Sequence, residues 1–362
     1  MKRVISLILA TIMAFGMVAC AQNGASNDGA STDASSNSGT GNNTTNDTSS
    51  NASSSHPYLT TVPEDTKLKM GFVVMDISNP YFVESVKGAQ AFADRHGYDL
   101  TVIDGGSNAE KQVTGMENLI TKGIDACDMR AVDSAAMTDI VKAAAESGMA
   151  LCTYPEYPEM TSTMTYDDYA QGSALAKTAA EWINTKLNGT AEVALLTQPS
   201  SETIRQRVAA FHDVLEAEAP NATVVAEQEG FTSEDGMSVA ESILQAHPDV
   251  KVILCINDSG ALGAYEAVVG AGKATDDFFI GGIDGDASAL AKIADGTIYR
   301  ASVASKMLTS EVAYYIQRNM ARAKLGLEYE EKMVFEVFSI TKENVEEYLA
   351  KTPDYDAIDN MK

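Results

Sequence analysis

From residue 68 to residue 283 the chain alternates short apolar runs with longer stretches whose apolar residues recur at helical spacing. Leu68–Met75 reads as a strand followed by a helix over Val83–His96. Leu100–Ile103 is followed by Glu110–Lys122, Ile124–Arg130 by Met137–Glu146, and Ala150–Tyr154 is a further strand. After Tyr166 the pattern restarts, with helices over Ala170–Leu187, Glu202–Glu218, Glu234–Ala246 and Ala261–Val269. Strands over Glu192–Thr197, Thr223–Glu229, Val250–Ile256 and Phe278–Ile283 separate and follow them. A strand, a crossover helix and a second strand lie parallel and adjacent, and successive units cover both faces of the sheet with helices. The predicted class is therefore α/β. Gly97, Gly123, Gly148, Gly189 and Gly270 follow the periodic segments and are expected to close the last turns in the left-handed conformation. Two late strands, Tyr299–Val303 and Lys332–Phe338, flank a helix over Thr309–Ala323. If late segments join the earlier half, the chain crosses between halves more than once, giving a hinge of several strands.

The N-terminus carries a different signal. Lys2 and Arg3 precede the apolar run Val4–Val18, and Met17-Val18-Ala19-Cys20 follows with small residues before a cysteine. A basic start and an apolar run short for a membrane span make a secretory signal over 1–20. The cysteine after small residues resembles the lipobox of bacterial lipoproteins, which implies lipidation of Cys20 and attachment to the outer face of the cell membrane. Ala21–Ser55 consists almost wholly of Asn, Ser, Thr, Gly, Ala and Asp. Such a stretch buries too little apolar surface to offset its ordering entropy, so 21–64 is expected to be a disordered tether. Its Asn-x-Ser/Thr triplets read as composition.

The net charge of −25 argues against nucleic acid and against direct adhesion to anionic lipid, leaving the anchor as the only membrane contact. Cys127, Cys152 and Cys255 lie in apolar strands and are expected as buried thiols, with a Cys127–Cys152 bridge as the alternative. Gly270-Ala271-Gly272-Lys273 lacks the spacing of a phosphate loop, and the four histidines show no convergence. Asp284, Asp286 and Asp295 do not match a calcium loop. No catalytic residue, metal or cofactor is expected.

In parallel sheets ligands sit beyond the carboxyl ends of the strands. Here those ends carry Met75-Asp76-Ile77-Ser78-Asn79-Pro80-Tyr81-Phe82, Arg130, Tyr154-Pro155, Phe231, Asn257-Asp258 and Asp284-Gly285-Asp286, with Arg205 and Arg207 on a helix after Thr197. Aromatic faces cover the C–H faces of a sugar ring, while Asn, Asp and Arg bind neighbouring hydroxyls. The block Ser78–Phe82, the run Ala246-His247-Pro248-Asp249-Val250, Asn257-Asp258 with Ala261-Leu262-Gly263-Ala264, and Gly281-Gly282-Ile283-Asp284-Gly285 together resemble the ribose-binding-protein family of type 1 periplasmic binding proteins.

That resemblance implies two Rossmann-like parallel-sheet lobes joined by a three-stranded hinge, with a ligand in the cleft. The first lobe is expected over 65–167 plus 306–333, the second over 168–305 plus 334–348, and a tail over 349–362. It implies a monomeric binder that delivers a sugar or sugar-like solute to the permease subunits of an ABC importer by hinge closure. A receptor that presents its ligand to a chemoreceptor or sensor kinase is the alternative. Asn79, Tyr81, Phe82, Arg207, Phe231, Asn257 and Asp284 take the family's ligand-contact positions. The chain departs from the family at Tyr154-Pro155, where Asp-Arg is common, at Arg130, where Asn is common, and at Ile283, where an aromatic is usual. The hinge-end glutamine position falls at Ala304 or Ser305. Tyr154 and Arg130 join the candidate set, and Arg130 raises the prospect of an acidic ligand.

Overall fold

The computed structural model of the protein describes residues 66–361. The expected signal, Cys20 and the tether lie outside the described residues.

The first half runs β1 (Lys69–Val74), α1 (Pro80–His96), β2 (Asp99–Asp104), α2 (Ala109–Thr121), β3 (Ala126–Arg130), α3 (Thr138–Glu146), β4 (Ala150–Tyr154) and β5 (Ser162–Thr165). The second half opens with α4 (Asp168–Lys186), β6 (Ala191–Thr197), α5 (Glu202–Glu218), β7 (Ala222–Glu229), α6 (Ser233–Ala246) and β8 (Val250–Cys255). It continues with α7 (Asp258–Gly270), β9 (Phe279–Ile283), α8 (Ala287–Ala294) and β10 (Tyr299–Ser305). The chain ends with α9 (Thr309–Lys324), β11 (Lys332–Val334), β12 (Val337–Ile340), α10 (Val345–Leu349) and α11 (Tyr355–Asp359).

Two six-stranded sheets result. One has the order β11-β5-β4-β3-β1-β2, the other β12-β10-β9-β8-β6-β7. All pairings are parallel except β12 against β10. The two-lobed α/β class read from the alternation is therefore observed. The chain passes between sheets three times, after β5, after β10 and after β11. These passages are tied to one another: Lys306 N donates to Glu336 O (2.9 Å) and Phe335 N to Thr165 O (3.0 Å).

Local chemistry explains the element ends that matter for the site. Asn79 caps α1 by accepting from Tyr81 N at 2.9 Å, and Pro80 supplies a first-turn residue with no donor to lose. Helices approach closely through glycine. A Cβ on Gly88 in α1 would lie 1.9 Å from Ser310 O in α9, and one on Gly172 in α4 would lie 2.3 Å from Arg207 O in α5.

Three expectations need correction. The run read as one strand over Lys332–Phe338 is two strands, β11 and β12, in different sheets. Both are short and apolar, so local pattern does not mark the crossing at Phe335–Glu336. Gly270 is the last residue of α7; Gly272, at φ +67°, supplies the left-handed turn. The segment read as a tail holds α11, docked on α9. There the buried Asp359 carboxylate accepts from the Tyr314 hydroxyl (2.7 Å) and from Arg95 (3.2 Å). Cys127, Cys152 and Cys255 are free and buried, so the bridge is not formed. Among the described residues no helix is long and apolar enough to cross a membrane.

Candidate functional site

The carboxyl ends of the strands of both sheets face one another across a cleft, and the nine candidate residues Asn79, Tyr81, Phe82, Arg130, Tyr154, Arg207, Phe231, Asn257 and Asp284 all line one cavity there. Its volume is about 60 Å³. Met75, Met164, Tyr166, Gln171, Ile204, Ala304, Ser305 and Thr309 complete the lining. Ala304 and Ser305 thus both reach the cavity at the end of β10.

The apolar walls are aromatic. Tyr81 and Phe82 meet edge to face with centroids 5.1 Å apart, and the Tyr81 and Tyr166 hydroxyls lie 3.0 Å from each other. Phe231 stands in the second half at the end of β7, 8% exposed. Burial pushes the Tyr81 phenol up, so it stays protonated and available as a donor.

The polar groups are held before any ligand arrives. Besides capping α1, Asn79 lines the cavity from the first half as Asp284 does from the second, and it opposes the rise of the Asp284 carboxyl. Asn257 caps α7 through Gly260 N (2.9 Å) and donates to Phe231 O (2.9 Å), which fixes the loop bearing that ring. Helix capping and cavity lining therefore coexist at both asparagines.

Arg207 is 6% exposed. Its Nε donates to Asp168 Oδ1 at 2.8 Å and its Nη1 to Ile256 O at 2.6 Å. The Tyr154 hydroxyl donates to the other oxygen of Asp168 at 2.5 Å. Tyr154 lies on β4 of the first half and Arg207 on α5 of the second, so Asp168 at the start of α4 links them. Burial disfavours the Arg207 cation, but Asp168 outweighs it and the guanidinium stays charged. Arg205, its sequence neighbour, instead bonds Pro199 O on the exposed side.

Arg130 is 4% exposed and pairs through Nη2 with Asp128 Oδ2 at 2.8 Å. Its Nε and Nη1 are buried with no hydrogen-bond partner among the described residues. Gln112 braces the strand end by donating to Arg130 O (2.6 Å) and Val74 O (3.0 Å). Burial pushes the Asp128 carboxyl up to about 6, with Arg130 opposing, so it is ionised at neutral pH.

Asp284 sits at φ +136°, a strained value for a residue with a side chain. Its turn is anchored by Asp258, which is fully buried. Asp258 accepts from the Tyr299 hydroxyl (2.7 Å), from the Ser302 hydroxyl (2.7 and 2.8 Å) and from Asp286 N (2.8 Å). Burial raises Asp284 well above the usual carboxylate range; Arg207 opposes that rise and Asp258 adds to it. Burial also pushes Asp286 up, to about 9, helped by Asp258 and Asp284.

Sequence reasoning missed Asp128, Asp168, Tyr166 and Gln171. Asp128 had a usable signal: it stands two residues before Arg130 in a strand, so both side chains leave the same face. Among the described residues no group of His, Cys, Asp and Glu is arranged to hold a metal ion.

A family model described as a periplasmic binding protein domain matches residues 70–325. The ribose import binding protein of Bacillus subtilis is 32% identical over 229 residues, covering 62% of this chain and 72% of that protein. The ribose import binding protein of Escherichia coli K12 is 29% identical over 233 residues, covering 63% and 76%. Among solved structures, an ABC transporter solute binding protein from Mycobacterium smegmatis with bound glycerol matches with TM-score 0.72 at 24% identity, covering 79% of this chain and 98% of that one. The Caulobacter myo-inositol binding protein bound to myo-inositol matches with TM-score 0.70 at 25% identity, covering 79% and 97%.

Proposed function

We propose that this chain, which belongs to the periplasmic binding protein domain family, captures a sugar or sugar-like polyhydroxylated solute in the cleft and presents it to the permease of an ABC importer. The observation that carries the reading is the convergence of ring faces and hydrogen-bonding groups from both halves on one enclosed cavity. Tyr81, Phe82 and Phe231 cover the faces of a ring. Asn79, Asn257, Asp284, Arg130 and Arg207 ring its edge with donors and acceptors, and enclosure strengthens each bond. Relatives named for ribose import, and a neighbour bound to myo-inositol, support that ligand class.

Capture works by hinge closure. The cavity of about 60 Å³ is well below the roughly 150 Å³ that admits benzene, so a sugar ring enters only when the halves part. Ligand docks on one half, and contacts from the other half then stabilise the closed state, a population shift. Asn79 and Asp284 line the cavity from opposite halves, so a ligand that hydrogen-bonds both ties the halves together. The protein works outside the cytoplasm, held by a lipid on Cys20; radiolabelled palmitate incorporation that disappears in C20A tests the anchor.

The test of the main reading is a thermal-shift screen over pentoses, hexoses, cyclitols and linear polyols, followed by small-angle scattering. A binding solute raises the melting temperature by mass action and lowers the radius of gyration. Recovery of the solute chemically unchanged separates binding from catalysis. A screen in which no sugar or polyol raises the melting temperature overturns the reading, and an unchanged radius of gyration at saturation overturns hinge closure.

A further inference from the structure

We infer that the buried Asp128–Arg130 pair makes this site select uncharged rings and reject their acid counterparts. The inference rests on the sugar-binding reading of the same cavity and names the charge class of its ligand. Arg130 lines the cavity, whereas Asp128 does not; it stands behind the guanidinium on the same strand face. One N–H of Arg130 is taken by Asp128 at 2.8 Å, while Nε and Nη1 are buried and unpartnered among the described residues. These two nitrogens present their N–H groups on different edges of the guanidinium plane, so each suits a separate hydroxyl oxygen of a ring.

The charge behind those donors is already cancelled. An arginine alone at the end of β3 would favour a carboxylate or phosphate, the reading its sequence position invites. With Asp128 bonded to it, and Asp168 likewise bonded to Arg207 at 2.8 Å, both cations of the cavity are matched by anions before a ligand enters. A carboxylate entering the closed cleft loses its water and finds no excess positive charge to repay that loss. Asp284 on the facing wall adds none. A hydroxyl needs only a donor, and Arg130 supplies two. The pair thus acts as a neutral hydrogen-bond donor plate, with Asp128 as a positioning residue that sets both its orientation and its net charge.

The experiment titrates the mature protein calorimetrically with rings that differ by one carboxylate: D-galactose against D-galacturonate, D-glucose against D-glucuronate, with D-ribose and myo-inositol as further neutral rings. Each ring that binds is expected to bind at least about tenfold more weakly as its uronate. In D128N the uncancelled guanidinium shifts the ratio toward the uronate by about tenfold or more, a reversal that simple loosening of the fold does not produce. Should D128N fail to fold, R130Q decides: it weakens neutral rings by about tenfold or more by removing the donor plate. Uronates that match or exceed their neutral rings in the wild type overturn the inference. So does a folded D128N with an unchanged ratio, or an R130Q with undiminished neutral affinity. If no ring of either charge binds, the sugar-binding reading itself fails and this inference falls with it, an outcome distinct from binding without charge discrimination.

Discussion

Asp168 joins the halves of the molecule through Tyr154 and holds Arg207 within the second half, so its replacement by asparagine is the sharpest test of how the site is held. Asp168 is 7% exposed, accepts from Arg207 Nε at 2.8 Å and from the Tyr154 hydroxyl at 2.5 Å, and has no other cation bonded to it among the described residues. D168N keeps the shape and one oxygen but removes the charge, leaving Arg207 as a buried cation with only neutral acceptors, the amide oxygen and the Ile256 carbonyl. Breaking a buried pair this way costs about 3–5 kcal/mol, and the surviving oxygen places D168N near the lower end, about 3 kcal/mol. Y154F, which loses one hydroxyl on a charged acceptor, is expected to cost about 1.5–3 kcal/mol. The two share one acceptor, so the double variant should fall short of the sum by about 1 kcal/mol. Urea unfolding followed through the single tryptophan, Trp182, reads all three. The same variants should weaken ligand binding, because Arg207 loses its fixed orientation. A D168N variant within about 1 kcal/mol of wild type, the range of an exposed pair, refutes the argument.

Three further predictions follow from packing and charge. Asp286 takes its proton more readily in the fold, up to about 9 against 3.8 ordinarily, so its contribution to stability is full below about pH 4 and is lost as pH rises toward 9. D286N removes that slope: its melting temperature should exceed wild type increasingly from pH 5 to pH 9, and parallel curves would refute the assignment. G172A drives a methyl to 2.3 Å from Arg207 O and should cost about 1–3 kcal/mol along with affinity, whereas G270A, with nothing within 4 Å, should be neutral or stabilising; equal midpoints in urea count against the close helix contact. Cys127, Cys152 and Cys255 are buried with their thiols held protonated by burial, so none should react with a thiol reagent before unfolding, and labelling of any one in the native state contradicts the packing.

The alternation of apolar runs and helical spacing carried most of the fold because each element buries a face whose period is local to it. Sheet membership is different. Lys332–Phe338 reads as one strand because pairing partners outside the local window, Ser162–Thr165 for β11 and Tyr299–Ser305 for β12, decide where β11 stops and β12 begins. The cavity lining at strand ends was legible for a topological reason: parallel sheets put all carboxyl ends on one side, so Asn79, Asn257 and Asp284 had to approach one another once the halves faced. What tunes those residues was hidden. Asp128 sits inside an apolar strand, and Asp168 at a helix start looks like an ordinary first-turn acid. Three-dimensional packing shows that each is the partner of an arginine, although the two-residue strand spacing of Asp128 and Arg130 carried a hint of the first pair, and that pairing underlies our inference of a neutral ligand at Arg130.

The threefold passage of the chain between sheets has a mechanical corollary. Because the chain segments leaving β5, β10 and β11 run together and hydrogen-bond one another, no single break in the backbone frees one half from the other. A protease nick at any one passage leaves two covalent ties, so the proposed closure should survive such damage. On the proposed closure, three ties set side by side favour a swing about one axis over a twist, so the same residues would face one another at every cycle.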